Sequence, residues 1–574
     1  MFKLNFNNLF KKLLNNWLYH SKFINGNKFL VVLLLICFNL FTNFAFAVNN
    51  KEQTNRYLID TLQIQKHLKY LASDLFEGRA PGSLGSYLSA KYLGYYFDKY
   101  NLKPIGEDDT YYQNISMHLT SITNQTVILN QNNKEIKLLK DKDFKIFKFD
   151  KKNYIPQNAE MVFCGYGVVA PEFDYDDYAN INVKNKIVVI FDDEPYSISN
   201  DYFEGLKKSK YSNLESKHRI AMSKGALGIV VIDNFCSFDL LNWSKINKDY
   251  SFEFIQNSNK VNDNLGIYIN YNIANSIFEF ENKSIFDLCN DHINGKIQSF
   301  ELKTKLKVNC NFNSKDFISQ NIIGEIKGND NTKNEEFIIV SAHYDHLGIG
   351  KSINGDSIYN GATDNALGVA VLLEIAKYFS IHNTNKKSLI FLLTTGEEFG
   401  LLGSQYYTQN PLKPLQNTVA NVNLDGIAFF DEFNEVVILG NEFTNIPEIT
   451  NNVLEKNNVK LGQIPNNFQK EEAFRLSDHY SFAKIGIPSF LIIEGMSYKN
   501  KSYNEGYNFL ENYSINIYHT PFDDNSININ YKSVIQHSQI IIDFLTEISN
   551  TNNEIEFISG SPFRNSYLIL KNSK

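Results

Sequence analysis

Ser388-Leu389-Ile390-Phe391-Leu392-Leu393-Thr394-Thr395-Gly396-Glu397-Glu398 is an apolar run that ends in a glycine and two adjacent carboxylates. An unbroken apolar run of this length, closed by turn residues, reads as a strand buried on both faces. Phe337–Ser341, Val419–Asn423 and Ser489–Ile493 read the same way, and helical segments near Ala366–Ser380, Leu401–Thr408 and Ser533–Ser549 alternate with them. The alternation predicts an α/β domain, a mixed, largely parallel sheet flanked by helices.

Acids and imidazoles fall where those strands end. His343 and Asp345 follow Phe337–Ser341, Glu397 and Glu398 follow Ser388–Thr394, and Asp425 follows Val419–Asn423. In an open parallel sheet the carboxyl ends form the crevice where ligands bind, so groups far apart in sequence converge there. Asp364, just before the helix at Ala366, and His519, in the loop Tyr518-His519-Thr520-Pro521, can reach the same crevice.

Two histidines and three carboxylates form a nitrogen and oxygen donor set without sulfur, which suits zinc and, less well, cobalt or manganese. A catalytic zinc usually takes three protein ligands, so five are too many for one open site. They suffice for two ions if one carboxylate is shared. Two zinc ions, three carboxylates and a bridging hydroxide then sum to a neutral cluster, which is cheaper to bury than a net charge.

Three strings carry a family resemblance: Ser341-Ala342-His343-Tyr344-Asp345-His346-Leu347-Gly348, Asn360-Gly361-Ala362-Thr363-Asp364-Asn365-Ala366-Leu367-Gly368, and Thr395-Gly396-Glu397-Glu398-Phe399-Gly400. With Asn423-Leu424-Asp425 and Tyr518-His519-Thr520-Pro521 following in order, the chain resembles the M28 family of zinc aminopeptidases. The resemblance implies the zinc-peptidase fold and two zinc ions per chain. It places His343 and Asp425 on one ion, Glu398 and His519 on the other, Asp364 between them, and Glu397 as general base. It further implies a cis peptide at Asp364-Asn365 and a supporting role for Asp345, orienting His343. Alone, His346 reads as a hydrogen-bonding residue. Ser477-Asp478-His479-Tyr480 also matches a family segment, with His479 and Tyr480 either touching substrate or serving the fold.

Upstream, helices are expected from Thr61 to Leu75 and from Leu84 to Lys99, broken by Glu77-Gly78-Arg79-Ala80-Pro81-Gly82, and a few strands from Gln113 to Phe149. Leu68 to Arg79 resembles the family's opening helix and turn. Gly165-Tyr166-Gly167-Val168-Val169-Ala170-Pro171 resembles an inserted, β-rich protease-associated domain. The expected plan is therefore a signal peptide at 1–47, catalytic residues 48–155, the insert at 156–310, the peptidase domain at 311–550 and a featureless tail at 551–574.

At 574 residues, 43% hydrophobic and 21% charged, the chain is long enough for several domains and excludes wholesale disorder. Five lysines and the apolar run Phe29–Phe41 precede Ala45-Phe46-Ala47, the pattern of a secretory signal, with an uncleaved membrane anchor as the alternative. The expectation is a secreted or periplasmic protein with no stable membrane span after cleavage. Removing those five lysines carries the formal charge from −7 to −12, which argues against nucleic acid as a partner. Cys164, Cys236, Cys289 and Cys310 permit two disulfides in an oxidising compartment, or remain buried thiols.

The combined reading is an exported metallo-aminopeptidase that removes N-terminal residues from peptides or proteins by a two-zinc, bridging-hydroxide mechanism. The alternatives are a glutaminyl cyclase-like or other amidohydrolase on the same fold, and a non-catalytic binding protein that keeps it.

Overall fold

The computed structural model describes residues 59–573, apart from 132–133, 149–154, 196–201, 206–208, 234–242, 244–245, 248–251, 259–263, 294–296 and 465–469. The stretch read as a signal peptide lies outside the described residues, as does Cys236. In chain order the principal strands are β1 (Tyr112–Gln131), β2 (Phe144–Lys148), β3 (Ala159–Phe163), β4 (Ile187–Phe191), β5 (Gly228–Ile232), β6 (Leu265–Ile269), β7 (Phe300–Ile326), β8 (Phe337–His343), β9 (Ser388–Thr394), β10 (Thr418–Asn423), β11 (Glu435–Leu439) and β12 (Ser489–Glu494).

These strands join in one mixed sheet. In one half, β9, β8, β10 and β12 run parallel side by side, with β11 antiparallel outside β12 and the end of β7 antiparallel outside β9. Every residue of β8 and β9 is buried. That is why both lack polar alternation, since helices cover the two faces of a parallel sheet. Helix Leu367–His382 is apolar around most of its circumference and packs on β8, and helix Thr61–Leu71 packs on it in turn. Helix Tyr531–Asn550 instead buries a stripe, Val534, His537, Ile541, Phe544, Leu545 and Ile548, at helical spacing.

In the other half, β3, β4, β5 and β6 run parallel, with β2 antiparallel at the edge. The 27-residue β7 belongs to both halves: its start pairs with β3 and its end with β9. Along most of its length it also pairs with β1, from Lys305 opposite Asn130 to Ile322 opposite Tyr112.

The strands and helices of the α/β half lie where the sequence puts them. The stretch from Gln113 does not break into several short strands; it is mostly one 20-residue strand. Asn124, which reads as a turn residue, takes a left-handed φ of 50° next to a register slip at Asn309 and Asn311, so it marks a bulge and the strand continues. Residues beyond 550 are also more than a tail: Arg564–Asn572 forms a helix whose Tyr567 is buried. Cys164 and Cys310 are free thiols and Cys289 is disulfide-bonded, so the four cysteines do not form two bridges among themselves.

Candidate metal centre

Backbone geometry at the strand ends brings the site together. His343 is the last residue of β8, Asp345 lies two residues on, and Asp425 lies two residues beyond β10. Glu397 and Glu398 follow β9 through a turn at Gly396, φ 72°. Asp364 sits in the turn from Gly361 into helix Leu367–His382, and its peptide bond to Asn365 is cis. Only glycine fits at 361: φ is 60°, and a Cβ would lie 2.4 Å from Cγ of the His346 ring. His519, φ 55°, comes from the loop after helix Tyr503–Asn516.

The other four candidate ligands gather around Asp364. Its Oδ1 lies 3.2 Å from His343 Nε2, and its Oδ2 lies 3.1 Å from His519 Nε2. On one side, Asp425 Oδ1 is 3.5 Å from His343 Nε2; on the other, Glu398 Oε2 is 3.0 Å from His519 Nε2. One carboxylate thus faces two separate groups of donors. Ligands about 2.0–2.2 Å from a tetrahedral zinc stand ~3.3 Å apart, so these separations suit donors that share an ion. Donor atoms of His343, Asp364 and Asp425, within 4.8 Å of one another, could hold a metal, as could those of His346, Asp364 and Glu398.

A buried scaffold fixes these groups. Asp523 accepts the backbone N–H of Thr363 at 2.8 Å and of Asp364 at 3.0 Å, together with the Thr363 hydroxyl at 2.7 Å. A chain of donors ends on Asp425: Asn421 Nδ2 donates to Ser341 Oγ, Ser341 to Asn423 Oδ1, Asn423 Nδ2 to Ser477 Oγ, and Ser477 to Asp425 Oδ2. His346 Nδ1 lies 2.6 Å from Glu398 Oε1. Asp345, fully buried, is nearest His343 through its main-chain oxygen, 3.2 Å from Nδ1, while its carboxylate stands at 4.0 Å and accepts the Glu397 N–H at 3.3 Å.

Charge is densely packed here. Burial raises the pKa of Glu397 well above the carboxylate range, with Glu398 and Asp425 adding to it against the pull of His343. Asp345 is pushed up to about 7, chiefly by burial. Burial opposes ionisation of Asp364 and Glu398 too, but the facing imidazoles win: Asp364 falls well below its ordinary value and Glu398 to about 2. His519 is correspondingly lifted to about 10, Glu398 and Asp364 overcoming its burial. A centre that favours dense cationic charge on five donors without sulfur, His343 and Asp364 buried and the other three partly so, fits divalent zinc chemistry.

Asp523 and Asn421 were not singled out from sequence, and Asn423 and Ser477 stood there only inside motif strings with no role of their own. Asn421 and Asn423 carried a signal, being polar residues two apart inside a buried strand. Asp478 is likewise buried, and Thr394 Oγ1 donates to it. His479 is buried edge-on against Phe474, and Tyr480 packs around Phe474 and Phe563, which gives both a place in the core.

Comparison with known proteins locates the same region. Residues 321–545 match the sequence pattern of peptidase family M28. A vacuolar membrane protease of Pyrenophora tritici-repentis is 34% identical over 120 residues, 19% of this chain and 11% of that protein. Aminopeptidase YwaD of Bacillus subtilis is 37% identical over 108 residues, 19% of this chain and 21% of the relative. The match therefore spans about a tenth to a fifth of these relatives' lengths. A solved aminopeptidase from Aneurinibacillus sp. strain AM-1 shares the fold, with a TM-score of 0.52 at 17% identity, covering 87% of this chain and 95% of that one. The expectation of a secreted or periplasmic protein is overturned, because the first curated relatives are named for a vacuolar membrane. Among the described residues no helix is long and apolar enough to cross a membrane.

Proposed function

We propose, from the match of residues 321–545 to peptidase family M28, that the chain is an aminopeptidase that binds two zinc ions and hydrolyses the first peptide bond of peptides or proteins. The observation that carries this reading is the position of Asp364, with one oxygen facing His343 and the other facing His519. His343 and Asp425 would hold one ion, Glu398 and His519 the other, and Asp364 both. When bound, paired zinc ions activate water near neutral pH and polarise the scissile carbonyl.

The remaining work falls to the chain's own side chains. Glu397, whose carboxylate comes within 4.8 Å of donor atoms of His343 and Glu398, takes the proton from water and returns it to the leaving amine. Its raised pKa suits the first step, since a carboxylate that holds a proton more tightly is the stronger base toward the water. Asp345 fixes the turn into Glu397 through the Glu397 N–H, and Asp523 fixes the Asp364 turn. We read residues 156–310 as a protease-associated-like insertion between catalytic residues 48–155 and 311–550. The core built from Phe163, Phe191, Val230 and Ile267 supports a separate packing unit there, and Val127, Leu129, Phe144 and Ile146 from before residue 156 complete it.

The test is hydrolysis of a panel of aminoacyl-anilides by zinc-loaded and chelator-treated protein, with zinc counted per chain. Cleavage abolished by chelator and restored by zinc, at about two ions per chain, is expected. Activity indifferent to chelator would overturn the reading.

A further inference from the structure

The opening turn Glu77-Gly78-Arg79 lies outside the family-matched residues, and the chemistry above makes no use of it. Its backbone is unusual, with left-handed φ values of 47°, 69° and 54° in succession. The turn is pressed into the catalytic half: a Cβ on Gly78 would lie 2.3 Å from the Tyr359 carbonyl oxygen and 2.7 Å from that of Gly348. This contorted path delivers Arg79 to a place where it is 1% exposed.

A buried guanidinium normally meets a carboxylate. Arg79 is bonded instead to four main-chain carbonyls, through Nε to Tyr344 at 2.7 Å, Nη1 to Leu71 at 2.7 Å and Asn360 at 2.6 Å, and Nη2 to Gly361 at 2.9 Å. Tyr344 lies between His343 and Asp345. Asn360 and Gly361 begin the turn that presents Asp364. The planar fork therefore spans the two loops that supply the ligands. Asp74 of the same opening turn accepts the Asn360 side-chain amide at 3.0 Å, a second tie to the second loop. The positive charge also faces Asp345, Asp523, Asp364 and Glu398.

We propose that Arg79 is a positioning residue for the metal centre, setting the distance between the His343–Asp345 loop and the Gly361–Asp364 loop. Metal binding thereby depends on the helical segment 59–99. This rests on the two-metal reading above. Lysine cannot replace it: an ammonium keeps the charge but not the rigid fork that reaches separate carbonyls at fixed angles.

The test compares wild type, Arg79→Lys and Tyr100→Phe, each folded by circular dichroism, in a zinc titration against a competing chelator. Tyr100 serves as control, because its hydroxyl bonds Glu374 at 3.3 Å in the same helical layer without touching the ligand loops. Arg79→Lys should bind zinc 10–100-fold more weakly, the range for residues that orient ligands, and Tyr100→Phe within about threefold of wild type. Equal zinc affinity in wild type and Arg79→Lys overturns the proposal, and so does equal weakening in Tyr100→Phe. Wild type that binds no zinc overturns the two-metal reading itself. Should Arg79→Lys not fold, hydrogen exchange on metal-free wild type decides: amides at 343–347 and 360–364 as slow as those of β8 support the clamp, and fast exchange in both loops overturns it.

Discussion

The carboxylate of Asp523 accepts the backbone N–H of Asp364 at 3.0 Å, so the residue shared by both donor groups is held by its main chain as well as its side chain. Asp523→Asn should upset this, because Oδ1 accepts from Thr363 and Oδ2 from Asp364, so whichever oxygen becomes an NH2 group then faces an N–H donor. A buried donor without an acceptor costs about 1–3 kcal/mol. Urea unfolding of the metal-free protein should show a loss of that size, and a variant as stable as wild type would contradict the assignment.

Glu397→Gln should lower kcat ~10²–10⁴-fold, the usual contribution of acid–base catalysis. Zinc content should stay at the wild-type level, since Glu397 is assigned to the proton and not to the metal. Loss of zinc along with activity would make it a ligand.

Asp364→Ala removes the shared carboxylate. Zinc bound per chain, measured by plasma mass spectrometry after gel filtration, should fall from about two to one or none. Ser477→Ala, which removes only the donor behind Asp425, should keep both ions at lower affinity. Unchanged stoichiometry in Asp364→Ala would mean that the two groups of donors act separately.

His537 supplies a pH dependence away from the metal. Its Nδ1 accepts the Ala428 N–H at 2.9 Å and its Nε2 donates to the Ile492 carbonyl at 3.1 Å, an arrangement only the neutral ring can make. Burial lowers its pKa to about 4. Between pH 6.5 and 4 the unfolded chain takes up a proton that the folded chain refuses, so this contribution is lost as pH falls, by at most about 3 kcal/mol. Buried Asp177 and Glu194, both raised to about 7, act with opposite sign over much of that window. The readout is therefore a difference: stability should fall more steeply toward pH 4 in wild type than in His537→Gln. Parallel curves would refute the assignment.

How much of this was legible follows from where each residue sits in the chain. His343, Glu397, Glu398 and Asp425 stand immediately after apolar strands, so period and position identified them together. Asp523 and Arg79 lie in irregular turns, where no periodicity marks a residue and partners arrive from over 150 positions away. Composition could not reveal that a guanidinium would meet carbonyls in place of an acid. The long strands β1 and β7 were obscured for a related reason, because Asn124 has the same local preference whether the chain turns back or merely slips register.

For anyone recombining this protein with a relative, β7 sets where a crossover can be placed. A graft bounded at residue 310 would cut the strand between its contacts with β3 and its contacts with β9, and would join two foreign lengths of backbone inside one hydrogen-bonded ladder. The natural cassette runs from Tyr112 to Ile326, whole strand to whole strand. Exchanged in that form, the donor half would bring its own ribbon, and the ladder seams at β9 and at Lys103–Pro104 would have to be matched.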